Sequence, residues 1–312
     1  MPVAADDWYQ RRRRDAEGEF FRKVANQGPR KGEGGDTRQG IYCLTASGKL
    51  LAYKNAGQSP EVMREVLREG LKKWNALPET ERKPGAVQVP EHGTFDRAFH
   101  RVPPTNGLIL NVYTRALDRV GEQDFSDAVC RVGAGDEAAR DHLWLTEAEW
   151  KSLLPANPRV GEKFPMSPKI TERIARFHLV DNTRGEPPMW RRSDLRQRDV
   201  QIEVESTDNS RVRLRINGTA LLGTDAEPDK ADRGFDSGLL GYIEYNPRGQ
   251  GITRFDMVAV GDHWGSGAHT RRRTRPGRTP LGVAFELTDG KAPTDRIAPQ
   301  AARDAAGYFG GN

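Results

Sequence analysis

From residue 199 onward the chain changes period. Val200, Ile202 and Val204 alternate with polar residues, and Val212, Leu214 and Ile216 do the same. Successive side chains of a strand point to opposite faces, so a period of two fits a sheet with one buried face and does not fit a helix. Leu239–Tyr245, Ile252–Val260 and Pro280–Leu287 continue as strands, separated by turns such as Asn246-Pro247-Arg248-Gly249. Asn-Gly is the strongest short hairpin signal, so Asn217-Gly218 is expected at a hairpin tip. The expectation is an antiparallel β domain over 199–312, a sandwich or a barrel.

The first part of the chain reads differently. Residues 6–25 predict a helix with Tyr9, Ala16, Phe20 and Val24 on one stripe, and 27–40 are too rich in glycine and charge to be other than a loop. Ile41–Thr45 and Leu50–Lys54 flank Ala46-Ser47-Gly48, a hairpin pattern. Ser59-Pro60 then opens a helix, with Met63, Leu67, Leu71 and Trp74 as its expected buried stripe and Val66 beside it. The proline-rich stretch 78–106 predicts an extended crossing with a short strand at Ala86–Val89, and Gly107–Tyr113 a buried strand. Residues 1–115 are therefore expected as an α/β domain and 116–198 as a helical and loop connection. Within the connection Thr146-Glu147-Ala148-Glu149 is a capping box, and Ser167-Pro168 opens a helix with Ile170 and Ile174 inward. The fold class is α+β.

Gln39–Leu51 followed by the helix at Ser59 resembles the strand, turn, strand and last helix of thioredoxin-like domains. No CxxC accompanies it, so the resemblance implies a scaffold without thiol–disulfide chemistry. Val212–Leu222 (VRLRINGTALL) is similar to the strand–NG–strand hairpins of lectin-like jelly rolls, which extends over 199–290 as a structural likeness alone.

Composition removes several classes of function. The net charge of +5 is too mild to imply nucleic acid, and no apolar run approaches the roughly 20 residues that span a bilayer. Arg271-Arg272-Arg273, with Arg275 and Arg278, lies in a loop and reads as solvated charge. Cys43 and Cys130, the two cysteines, can pair with each other or stand as buried thiols. The small residues of the start, Met1-Pro2-Val3-Ala4-Ala5, suggest an exported bacterial protein, periplasmic or extracellular.

Three of the six histidines share a setting. Asp141-His142-Leu143-Trp144, Phe177-His178 with Asp181, and Asp262-His263-Trp264 each place an imidazole among large apolar groups with a carboxylate nearby. Such a carboxylate orients a metal-ligating ring or a general base. Convergence of His142, His178 and His263 would make a transition-metal site for iron, manganese, copper or zinc. Asp181, Arg184 and Glu186 form a polar string in a Gly/Pro-bounded loop and are the candidate catalytic residues. The leading expectation is an exported enzyme with this His/Asp site between its two parts. The alternative is a module that binds carbohydrate or another polymer through Trp190, Trp264 and Tyr242.

Overall fold

The computed structural model describes residues 3, 5–29, 37–55, 59–88, 93–120, 125–127, 138–184, 186–249, 251–267 and 276–310. The chain divides into two compact units, Met1–Arg101 and Val102–Asn312. Among the described residues no helix is long and apolar enough to cross a membrane.

In the first unit the expected single helix over 6–25 is two, α1 (Asp7–Gln10) and α2 (Ala16–Ala25). The break is local chemistry: Asp15 accepts the Gly18 amide and caps α2. Arg13 is buried beside it and donates to Asp15 and Glu17. Burial alone would raise the Asp15 carboxyl, but hydrogen bonds from Arg13 and from the Asp96 and Gly18 amides hold it well below the usual carboxylate range.

Strands β1 (Ile41–Leu44) and β2 (Leu50–Lys54) form the expected hairpin. Its turn closes through Gly48, whose φ of +83° is left-handed. Helix α3 (Pro60–Asn75), capped by Ser59, packs on both strands, and the short α4 (Glu79–Arg82) follows. The stripe expected on α3 is corrected. Val66 and Gly70 are buried, whereas Met63, Leu67 and Leu71 are exposed. A Cβ at Gly70 would stand 2.7 Å from the Cys43 Cβ, so the missing side chain lets the helix backbone approach the hairpin there. The contact line through Val66 and Gly70 is rotated roughly 75° from the apolar stripe at about 100° per residue. Residues 86–88 form no strand, and Val89 lies outside the described residues.

The second unit is built on a nine-stranded antiparallel sheet. Its strands are β3 (Leu108–Arg119), β4 (Phe125–Asp127), β5 (Ala139–Leu145), β6 (Lys163–Pro165), β7 (Leu195–Thr207), β8 (Val212–Gly223), β9 (Gly234–Tyr245), β10 (Ile252–Trp264) and β11 (Thr279–Thr288). Strands β7 to β11 pair in sequence order. Strand β3 lies beside β11 and carries β5 and β4 on its other side, and β6 pairs with β7. The segments 108–119 and 139–145 thus share one sheet with the C-terminal strands.

Asn217-Gly218 is not a hairpin tip. It sits within β8, with Asn217 paired to Gln201 and Leu240, and Gly218 to Val200 and Leu239. The turn between β7 and β8 is instead made by Asp208, whose side chain accepts from the Ser210 and Arg211 amides. An Asx turn meets the local geometry as well as Asn-Gly does. Two long flanking runs of alternation then fix the register, since a slip of one residue would turn every apolar side chain outward.

Ile202, Leu214, Ile216, Phe235, Ile243, Phe255, Phe285 and Leu110 are among the inward residues of one continuous core. Helix α6 (Pro168–Arg173), continued by a wider π turn at Ile174–His178, supplies Ile170 and Ile174 to it. This helical piece touches β5 near one end of the sheet and β7 near the other. The capping box is present: Thr146 opens α5 (Glu147–Lys151) with Glu149 reaching back. Glu149 has a second role that its local sequence does not announce. Both its carboxylate oxygens accept from the buried Arg173, which also donates to the Trp144 and Tyr308 carbonyls. Tyr308 belongs to the C-terminal helix α7 (Ala305–Phe309), so this cation ties three separate segments together.

Candidate functional site

The three imidazoles do not converge. His178 lies at the end of the π turn, fully buried, with Nε2 3.0 Å from the Tyr308 hydroxyl and Nδ1 3.5 Å from Asp141. The Tyr308 oxygen also accepts the Trp144 amide. Asp141 in turn accepts the Gln300 amide. His178 therefore belongs to a hydrogen-bonded chain inside the core.

His142 is the next residue to Asp141 on β5, so it faces the opposite side of the sheet, opposite Asn111. Burial pushes its pKa down, with Asp141 acting in the other direction, and the ring is held neutral. His263 lies elsewhere again. It pairs across β10 with Phe235 and Thr279, whereas the His178 ring is 6.3 Å from Phe285. Six residues along β11 separate those positions, roughly 20 Å at the rise of a strand. His142 thus sits on the strand face opposite Asp141, the companion of His178, and His263 pairs with Thr279 six positions along β11 from Phe285. Among the described residues no group of three His, Cys, Asp or Glu side chains is set to hold a metal ion.

The polar string 181–186 also divides. Asp181 is buried and its Oδ1 accepts the Thr183 amide at 2.9 Å and hydroxyl at 2.6 Å, opening a short turn over Asn182–Arg184. The Arg184 side chain is outside the described residues. Glu186 is exposed and accepts from Arg303 at 3.1 Å. The string is local in sequence only.

What the fold does bring together is Asp181 and His263. Alternation on β10 turns His263 inward and sends Asp262 to the other face, where it accepts from Arg119 at 2.6 Å. Two small adjoining depressions open at this corner, about 240 and 220 Å³ counted out to solvent, and both include Asp181 and His263. The first is completed by Trp264, Thr279 and Leu281, the second by Trp190, Arg233 and Ser266. All of these residues belong to the second unit. Both depressions are shallow and open to solvent, with enclosed room for little more than a water-sized group, far below the roughly 300–1,000 Å³ of a drug-sized pocket.

The walls are fixed. Trp190 donates to the Leu179 carbonyl and Trp264 to the Ala231 carbonyl, at 2.8 and 2.9 Å. Gly234 leaves room for the Trp264 ring, which a Cβ there would meet at 1.9 Å. Arg233 crosses the Trp190 face at 3.8 Å and Arg278 the Trp264 face at 4.0 Å. Neither indole is a free platform, and Tyr242 lies beneath Arg213 on the outward side of β9. Sequence reasoning missed Arg233, Thr279 and Ser266. Only the glycine after Arg233, followed by a strand, hinted at a crowded junction there.

His100 stacks on Phe95 in the first unit, with ring centroids 4.3 Å apart. His92, His269, Arg271–Arg273 and Cys130 lie outside the described residues. Cys43 is a free thiol, and burial together with Glu69 pushes its pKa up. No family model, curated protein or solved structure matches the chain, so the reading of this corner rests on its geometry.

Proposed function

We propose that residues 102–312 form a site for a small polar molecule, with His263 as the acid–base group and Asp181 as its carboxylate companion. The observation that carries this is the sharing of both depressions by these two side chains, alone among the six site residues picked from sequence. An imidazole is the side chain best suited to gain and lose a proton near neutral pH. The enzyme reading thus narrows to one His/Asp corner, without the metal. Burial of Trp190 and Trp264 works against the polymer-binding alternative, because a sugar ring needs an open aromatic face. An exported location belongs to the same proposal and is tested by recovery of the chain outside the cytoplasm.

Two finer points of fold are proposals as well. The meander β7–β11, with α6 and its π turn touching strands near both ends of the sheet, supports a barrel-like closure more than two facing sheets. Helix α3 on the β1–β2 hairpin is what supports a thioredoxin-like scaffold at 39–77.

The test of function is a screen of small polar compounds against the full chain, with binding read by the tryptophan indole signals in NMR. Compounds that shift Trp190 and Trp264 should lose their effect in His263→Gln and Asp181→Asn. Binding unaltered by both substitutions would place the site elsewhere and end this reading.

A further inference from the structure

The second depression has a buried cation on its wall. Arg233 is 7% exposed, yet among the described residues it forms no ion pair with a carboxylate. Its Nη1 donates to the Pro188 carbonyl, and its guanidinium lies over the face of Trp190, 3.8 Å away. A guanidinium has five donors, and a desolvated cation is costly unless an anion or several acceptors surround it. Burial lowers its pKa to about 10, with the more distant Asp194 working against that shift. The Asp194 carboxylate is itself engaged, accepting from the Arg191 amide. Asp181, on the same depression, is a hydrogen-bond acceptor of opposite charge.

We infer that this depression binds a small carboxylic acid bearing a hydroxyl or ammonium group on the neighbouring carbon. Arg233 takes the carboxylate, for which its planar fork is the matching shape. Asp181 accepts from the neighbouring donor, and Ser266 lines the same depression. The inference rests on the small-molecule reading given above and adds the charge and class of its ligand.

The probes are acetate, glycolate, glycine and the neutral acetamide, each titrated into the full chain while the Trp190 indole signal is followed. Acetate should move that signal saturably and acetamide should not. Glycolate and glycine should bind several-fold more tightly than acetate, and Asp181→Asn should remove that preference. Arg233→Gln should weaken every acid at least ten-fold. If Arg233→Gln does not fold, acetate against acetamide on the unaltered chain decides the question. Equal response to acetate and acetamide, or full acid binding in Arg233→Gln, would overturn the inference. Neutral compounds that bind through His263 and Asp181 while no acid does would sink this inference and leave the broader reading standing. No binding of either kind would remove both.

Discussion

The two units bury apolar surface in opposite ways. In Met1–Arg101 the fully buried apolar side chains among the described residues are few, Val24, Ala25, Leu51, Ala52 and Val66, and a two-stranded hairpin is the only sheet there. In Val102–Asn312 nine strands turn alternate residues onto one continuous core. A two-stranded sheet is too narrow to cover a broad helix stripe, so α3 makes contact along one line and leaves Met63, Leu67 and Leu71 out. A helix stripe in a sequence thus reports burial only where a wide enough partner exists. The second unit has the surplus of packing, and it is also where buried polar groups such as Arg173, Asp181 and Arg233 are held in place.

The largest expected effect tests that surplus. Arg173→Met should cost about 3–5 kcal/mol, because it leaves the Glu149 carboxylate buried without its partner. In urea the loss should fall on the second unit's transition, with the first unit's unchanged. A drop of equal size in both would show that the two units unfold as one and would break the comparison. Gly70→Ala is the counterpart in the first unit. The new methyl meets Cys43, and overpacking of this kind costs about 1–3 kcal/mol. That loss should appear in the first transition alone.

The same contrast explains what could be read from the chain beforehand. The strands β7–β11 were legible because alternation is a local property. The place of β3 and β5 in the same sheet was not, since nothing near Leu108 or Ala139 names a partner some 170 or 30 residues away along the chain, as the pairings do. The capping box at Thr146 was legible, but Glu149's pairing with Arg173 was hidden by the 24 residues between them. Asn217-Gly218 misled because turn propensity is weak against two strands of matching register. At the site, Asp181 and His263 stood out as polar residues beside aromatic ones. Their meeting depended on where the π turn ends relative to β10, and that is set by packing. Arg233 had no local signal beyond the glycine that follows it.

A pH titration of stability sharpens the comparison next. Burial holds His142 neutral in the fold with its pKa below the ordinary value of 6.5. Above pH 6.5 neither folded nor unfolded chain binds this proton. As pH falls below 6.5 the unfolded chain gains it first, so the second unit should lose stability from there downward. Glu149 adds a second stage. Burial raises its carboxyl, but the Arg173 hydrogen bonds, the Thr146 amide and Lys169 outweigh that and hold it below the ordinary 4.5. Its contribution is present above 4.5 and is lost as pH falls through the lower folded value. The midpoint of urea unfolding should therefore fall in two steps. His142→Gln should remove the upper step only, and Glu149→Gln the lower. A single step unaffected by His142→Gln would mean that the ring is protonated equally in both states.

The smallest expected effect concerns the exposed stripe of α3. Leu67 and Leu71 are 56% and 58% exposed, so most of their surface is already in water in the folded chain. Replacing them with lysine removes little buried area, and lysine is as good a helix former as leucine. Glu69 and Lys73 form an i,i+4 ion pair on the helix surface, a setting that tolerates further charge. Leu67→Lys and Leu71→Lys, singly, should each change stability by no more than about 0.5 kcal/mol, the usual range for surface positions. The matched control is Val66→Lys, one position away on the buried line, which should be severely destabilising because it forces a charge against the β1–β2 hairpin. Circular dichroism during urea unfolding separates the two outcomes directly. A loss above about 2 kcal/mol at Leu67 or Leu71 would show that the apolar stripe carries packing in solution, a magnitude that matches burial of a leucine side chain. The first unit would then have to be counted as a second core, and the contrast between the units would fail at its thinnest point.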